Sequence, residues 1–134
     1  MITFKRAAAL LISSTLAIPA FSQSSSEQLI QLGNYINSNV DPKIVKEVQK
    51  LNQCGIIAVF FDSSRSDRLL DQSYERLLSV SAIDKKTAEN YIRAGNLFFT
   101  NTLIKKKYID PNNLEGDNTI NATKGLYKNM CAGL

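Results

Sequence analysis

Residues 51–61 read LNQCGIIAVFF, and every residue from Gly55 to Phe61 is apolar or glycine. Just upstream, Asp41-Pro42 predicts a helix start, because aspartate caps a helix N-terminus and proline suits the first helical turn. The pattern from Lys43 is amphipathic at first and then apolar all round, as in a helix that is enclosed on every side. A buried β-strand over the apolar part is the alternative, since isoleucine, valine and phenylalanine favour strands. Continuity with the amphipathic half favours a helix from Lys43 to about Phe61, around which the other segments pack.

The chain has two cysteines, Cys54 within this stretch and Cys131 near the other end, 77 positions apart. In an exported protein two such cysteines predict one intramolecular disulfide. The competing interpretation is a redox pair, which lacks support because there is no Cys-x-x-Cys and no histidine to lower a thiol pKa. We therefore predict a Cys54–Cys131 bond that ties the central helix to the last one.

The first 22 residues have the three parts of a secretory signal peptide. Lys5 and Arg6 precede an apolar stretch over residues 7–18, and Ala20-Phe21-Ser22 places small residues at the positions that a signal peptidase inspects. The apolar stretch is shorter than the roughly 20 residues that span a bilayer. We predict cleavage after Ser22, a mature single helical domain of residues 23–134, and a periplasmic or extracellular location without a membrane span.

Four further segments have helical periodicity. Ser26 is predicted to cap a helix over residues 27–39, and Ser66 or Asp67 is predicted to cap one that ends near Ser81 after a polar break at residues 62–67. The longest helix opens at Ile83-Asp84 and ends in Lys105–Lys107, and the last covers residues 119–131 with Asp117 or Asn118 as its cap. Gly95 in the longest helix predicts a close approach by another helix, beside Gly55. With no period-two alternation, the prediction is a compact all-α bundle of four to five helices.

The composition excludes several kinds of chemistry. The 134 residues contain no histidine, which rules out Ser-His and Cys-His nucleophile pairs and histidine metal sites. Removing Lys5 and Arg6 with the signal peptide leaves 14 basic and 12 acidic side chains. That small excess gives no basis for nucleic-acid binding, which needs a strongly basic face.

The loop at residues 109–118, IDPNNLEGDN, is rich in oxygen ligands but does not fit a calcium loop. An EF-hand needs glycine at its sixth position, and the sixth residue from Asp110 is Glu115. We therefore assign no metal and no cofactor. If the protein is an inhibitor, this loop or the polar break at residues 62–67 is expected to be the part that enters the target.

The overall layout has a signal peptide, a helical domain and an early and a late cysteine, Cys54 and Cys131. It is similar to the layout of periplasmic immunity proteins that neutralise secreted cell-wall amidases. Export, small size, a disulfide-linked helical core and the lack of a catalytic constellation predict a non-enzymatic inhibitor, immunity or accessory protein that acts by binding another protein. A homodimer is a further option, and no catalytic residue is assigned. One alternative is a carrier of a small apolar ligand lined by four aromatics (Phe60, Phe61, Phe98 and Phe99). Another is a hydrolase that uses carboxylates alone (Asp62, Asp67, Asp110 and Asp117).

Overall fold

Five α-helices and no strand form residues 23–134, the part of the chain that this computed structural model describes, with side chains from Glu27 onward. The helices are α1 Gln23–Asn39, α2 Pro42–Ala58, α3 Ser63–Leu78, α4 Lys85–Lys105 and α5 Asp117–Met130. The predicted all-α bundle is confirmed. The predicted signal peptide, residues 1–22, lies outside the described residues. None of the five helices is long and apolar enough to cross a membrane.

Aspartate side chains define three of the helix starts. The Asp41 carboxylate accepts a hydrogen bond from the Lys43 backbone N–H at 2.8 Å, with Pro42 in the first turn, as predicted. Asp84 accepts from the Thr87 N–H at 2.7 Å, also as predicted. Hydrogen bonds from the Thr87 backbone and then its side chain lower the pKa of the Asp84 carboxyl.

Three other predicted boundaries were wrong. The polar break at residues 62–67 is mostly the first turns of α3, because Asp62 rather than Ser66 or Asp67 is the cap and accepts from the Arg65 N–H at 3.1 Å. Helix α1 starts at Gln23, so Ser26 lies within it. Asp117 and Asn118 lie inside α5, whose cap position is Gly116 without a side-chain hydrogen bond.

The second half of α2 is the centre of the bundle. From Cys54 to Ala58 every residue is buried, and Ile56, Ile57 and Ala58 have no exposed surface. The helix ends at Ala58, and residues 59–61 form a turn instead of continuing the helix as predicted. Helices α3, α4 and α5 all pack against α2, and α3 does so most extensively. This arrangement encloses Gly55 to Ala58, whereas Val59, Phe60 and Phe61, which the sequence pattern also singled out, are only partly buried.

The predicted disulfide joins Cys54 of α2 to Cys131, directly after α5, with an S–S distance of 2.04 Å. Both cysteines are buried. Beside the bond, the Tyr127 hydroxyl donates to the Leu134 carbonyl at 2.8 Å, and the Phe61 ring meets Tyr127 edge-on. The last helix is therefore held against the central one by covalent and packing contacts.

Gly55 and Gly95 have different neighbours, so the predicted pairing of the two glycines was wrong. A Cβ at Gly55 would lie 2.7 Å from the Leu70 side chain and 3.3 Å from the Leu70 backbone N, so this glycine allows α3 to approach α2 closely. A Cβ at Gly95 would instead meet the Asn52 amide nitrogen at 2.9 Å.

Replacing both Cys54 and Cys131 by alanine is expected to lower the free energy of unfolding by about 4 kcal/mol, because the unfolded chain loses a long closed loop. Urea unfolding of the variant and the unreduced wild type measures the difference. Equal midpoints, or two free thiols in the unreduced wild type, would contradict the bond's role.

The same glycine-to-alanine change is expected to have opposite effects at two helical positions. Gly55→Ala should destabilise the protein by about 1–3 kcal/mol, because the new methyl group overlaps Leu70. Gly125→Ala, with nothing within 4 Å, should stabilise it by up to about 1 kcal/mol through helix propensity. Thermal unfolding of both variants checks the pair, and a stabilised Gly55→Ala protein would show that α2 and α3 are not in close contact.

Candidate functional site

A groove of ≈ 340 Å³ opens between α1, α2 and α4. Helix α1 contributes one side, α4 the other, and α2 the polar residues between them. The residues that line it are Leu29, Leu32, Gly33, Val48, Gln49, Asn52, Gln53, Tyr91, Ala94, Gly95, Phe98 and Phe99. The volume lies at the lower end of the range of small-molecule binding sites.

The groove carries apolar side chains that remain exposed to solvent. Phe98 on α4 is 75% exposed, and Leu29 on α1 is 38% exposed. Ile30, next to Leu29 in α1, is also exposed. Exposed aromatic and aliphatic side chains grouped around a concave surface are typical of interaction sites. Helices α1 and α4 thus present an apolar surface that no other described part of the chain covers.

Three carboxamide side chains of α2 line the same groove: Gln49, Asn52 and Gln53. The Gln49 amide donates to the Tyr91 hydroxyl at 3.2 Å. Asn52 is only 5% exposed, and its Oδ1 has no hydrogen-bond partner among the described residues. Gly95 provides the space for this side chain, since a Cβ there would lie 2.9 Å from Asn52 Nδ2. A buried carbonyl oxygen without a donor lowers the free energy of unfolding by about 1–3 kcal/mol. Asn52 is therefore unfavourable for stability.

A second cleft of ≈ 320 Å³ adjoins the groove and is basic. It is lined by Lys46, Gln49, Lys50, Gln53, Cys54 and Met130, so it shares both glutamines with the groove. The ion pairs of the described residues, Arg65–Asp62 and Arg76–Glu47, involve neither of its lysines. The two clefts therefore form one surface that is apolar at one end and positively charged at the other.

Helix α4 also buries polar atoms away from the groove lining. Asn96 and Thr100, one turn apart, are both fully buried. Neither amide atom of Asn96 nor the Thr100 hydroxyl has a partner in the described part of the chain. Helix α4 therefore carries a stability cost on its inner face as well as exposed Phe98 on its outer face.

The loop between α4 and α5 is acidic on its surface and held by hydrogen bonds beneath. Lys107, two residues after the end of α4, lies in the left-handed region with φ 62°. The Asp110 N–H donates to the Thr119 hydroxyl at 3.1 Å, and that hydroxyl donates to the Asn113 carbonyl at 3.3 Å. Asp110 also accepts from the Asn112 N–H at 2.9 Å. The exposed Asp110 and Glu115 side chains thus lie on a braced loop.

The four candidate catalytic carboxylates belong to two separate segments of the chain. Asp62 and Asp67 lie at the start of α3, where Asp62 caps the helix and pairs with Arg65 at 3.3 Å. Asp110 and Asp117 flank the loop before α5. Within residues 23–134 no three His, Cys, Asp or Glu side chains are grouped as a metal site would require.

The four aromatics predicted to line a cavity are divided between two places. Phe98 and Phe99 line the groove, whereas Phe60 and Phe61 do not. Phe61 packs instead against Tyr127, with ring centroids 5.5 Å apart. Of the four aromatics, this groove therefore brings together only Phe98 and Phe99.

Two groups with raised pKa values lie on α3, outside the groove. Burial, followed by the neighbouring charges of Glu75 and Asp67, raises the pKa of the Asp71 carboxyl. Burial and the Glu89 charge raise the pKa of the Tyr74 hydroxyl. The charges that shift Asp71 lie on α3 itself, and the one that shifts Tyr74 lies on α4; neither group lines the groove.

No protein-family model matches the chain, and neither a curated protein nor a solved structure matches it significantly.

Thr119→Val is expected to loosen the acidic loop, because valine has nearly the same shape but neither accepts from the Asp110 N–H nor donates to Asn113. The free energy of unfolding should fall by about 1–2 kcal/mol. Amide hydrogen exchange at Asp110 should become faster. Thr119→Ser keeps the hydroxyl and should retain slow exchange; equal exchange in both variants would show that the hydroxyl does not brace the loop.

Proposed function

We propose that this chain is a small exported, non-enzymatic protein of the periplasm that acts by binding another protein, as an inhibitor, immunity or accessory protein. The observation that carries the proposal is Phe98, 75% exposed at the edge of an apolar groove. A large aromatic side chain that is mostly exposed in the free protein can be buried when a partner packs against it. Phenylalanine and other aromatics are also enriched in protein interfaces.

Export is supported by the N-terminal sequence pattern and by the disulfide. Disulfides form and persist in oxidising compartments such as the periplasm and are rare in the cytosol. The Cys54–Cys131 bond closes a loop of most of the described chain, so it is structurally important rather than incidental.

The acidic loop before α5 offers a second contact of the kind that an inhibitor uses. Its exposed side chains are presented on a backbone that internal hydrogen bonds already hold, so binding orders little additional chain. Residues 62–67, the other predicted contact, are largely the first turns of α3 and do not form a loop.

Phe98→Ser is expected to weaken partner binding by about tenfold or more while leaving the melting temperature nearly unchanged. The full-length protein, isolated from its own cells, is tested for a stoichiometric partner that co-purifies, and the affinity of each variant is then measured by calorimetry. Asn129→Ser, at an exposed position of α5 outside the groove, is the matched control. Glu115→Ala reports separately on the loop.

The proposal fails if the wild type has no stoichiometric partner, or if neither Phe98→Ser nor Glu115→Ala weakens the complex. A complex weakened only by Glu115→Ala keeps the protein-binding function and assigns it to the loop.

A carrier of a small apolar ligand is the second candidate, favoured by the groove volume and by Phe98 and Phe99 in its wall. Native mass spectrometry of gently purified protein distinguishes the two. A bound lipid-sized mass that Phe98→Ser removes would support the carrier function.

A further inference from the structure

We infer that α4 opens away from α2 and α3 as a unit, at a lower free energy than the unfolding of the whole chain. Because α4 forms one side of the groove, this opening also moves that side of the groove. The opening is a property of the bundle itself and is independent of the proposed protein-binding function.

The buried hydroxyl side chains of α3 and α5 all have hydrogen-bond partners. The Ser66 hydroxyl donates to the Gly55 carbonyl at 2.7 Å, across the contact between α2 and α3. Within α5, the Thr123 hydroxyl donates to the Thr119 carbonyl at 2.7 Å. Burial of these groups therefore leaves none of these hydroxyls unpaired.

The buried polar side chains of α4 are unpaired. Asn96 and Thr100 have no exposed surface, and neither the two amide atoms of Asn96 nor the Thr100 hydroxyl has a partner within residues 27–134. On the neighbouring α2, Asn52 has an unpaired Oδ1 atom, and its Nδ2 atom would lie 2.9 Å from a Cβ at Gly95 of α4. These unpaired atoms have essentially no accessible surface, so water does not reach them. They are concentrated on α4 and on the part of α2 that it covers.

One further buried atom without a partner in the described part of the chain is Asp67 Oδ1, on α3. Asp67 precedes Tyr74 by seven residues, about two helical turns, so the two residues share one side of α3. Burial and then the charge of Glu89 on α4 raise the pKa of Tyr74, which places this side of α3 near α4. The contact between α3 and α4 therefore contains an unpaired atom as well.

These unpaired atoms make the closed position of α4 less stable. Each has lost its hydrogen bonds to water and has gained none within the protein. When α4 moves outward, water reaches the atoms on both sides of the contact, so the open position is free of this penalty. Opening α3 from α2 would instead break the hydrogen bond between Ser66 and Gly55.

Few contacts hold α4 in place. Helix α3 packs against α2 much more extensively than α4 does, although α4 is longer. The disulfide joins α2 to the end of α5, and neither ion pair of the described residues includes α4. Phe98 lies about 200° around the helix from Asn96, and it adds little to the closed position because it is 75% exposed. Elements held by few contacts open locally before the whole chain unfolds.

The test is amide hydrogen exchange in the protein isolated from its own cells, with its disulfide intact, followed by mass spectrometry at several low urea concentrations. Residues 92–103 of α4 are expected to exchange at least about tenfold faster than residues 66–77 of α3, with a weaker dependence on urea. Equal rates with the same urea dependence would overturn the inference, since α4 would then exchange only through global unfolding. Faster exchange confined to the last turn of α4 would also overturn it, because that is fraying of a helix end.

The double variant Asn96→Leu/Thr100→Val tests the cause of the opening. It removes the unpaired atoms of α4 and keeps side chains of similar size, so exchange in α4 should become at least about tenfold slower. If the double variant does not fold, Thr100→Val alone should slow exchange in α4 about fivefold. Exchange in α4 that is not slowed in the folded variant would show that the unpaired atoms do not cause the opening.

Thr123→Val is the matched control, because it makes the same change at a buried hydroxyl that has a partner. Losing that hydrogen bond destabilises the folded chain as a whole, so exchange in α3 should become about fivefold faster. Exchange in α4 should stay at the wild-type rate, because local opening of α4 leaves α5 in place. Equal acceleration of α3 and α4 would show that α4 does not open independently, and would leave the Phe98→Ser test of partner binding unaffected.

Discussion

The burial of α2 from Cys54 to Ala58 on every side constrains the rest of the bundle. A helical turn of this kind needs neighbours around its whole circumference, and one amphipathic helix can cover only one face. Helix α3 approaches it closely because Gly55 has no Cβ to meet Leu70. Helix α5 covers another side and is held there by the disulfide. The helices that cover this part of α2 most extensively all follow it in the chain, whereas α1 contacts it least.

Much of this architecture could be predicted, because the strongest signals are local. Asp41-Pro42 and Asp84 specify their helix starts through hydrogen bonds within three residues of the cap. The start of α3 was harder to predict, since a serine-rich segment favours loops and helix starts alike. What decided it was the Asp62 side chain reaching the Arg65 N–H, together with burial of the Ser66 hydroxyl against the Gly55 carbonyl at 2.7 Å. The second contact joins two helices, and the local sequence does not reveal it.

The groove was predicted less well than the fold. Phe98 and Phe99 were expected to line a cavity together with Phe60 and Phe61. The sequence could not distinguish the two pairs, because each is a pair of adjacent phenylalanines in an apolar stretch. Asn52 was missed. A signal was present, since Asn52-Gln53 are polar residues directly before the buried part of α2. Whether such a residue faces solvent or a groove depends on α4, and specifically on Gly95. That contact spans more than forty positions of the chain.

Cys54 connects the disulfide to the basic cleft beside the groove. It follows Asn52 and Gln53 on α2 and lines the basic cleft together with Met130, the residue before its bonded partner Cys131. The disulfide and the residues that would contact a ligand in the groove therefore lie on the same turn of α2. By thermodynamic linkage, a ligand that prefers the oxidised chain makes the disulfide harder to reduce by the same factor. A chain with its cysteines still reduced would then bind such a ligand more weakly than the oxidised chain.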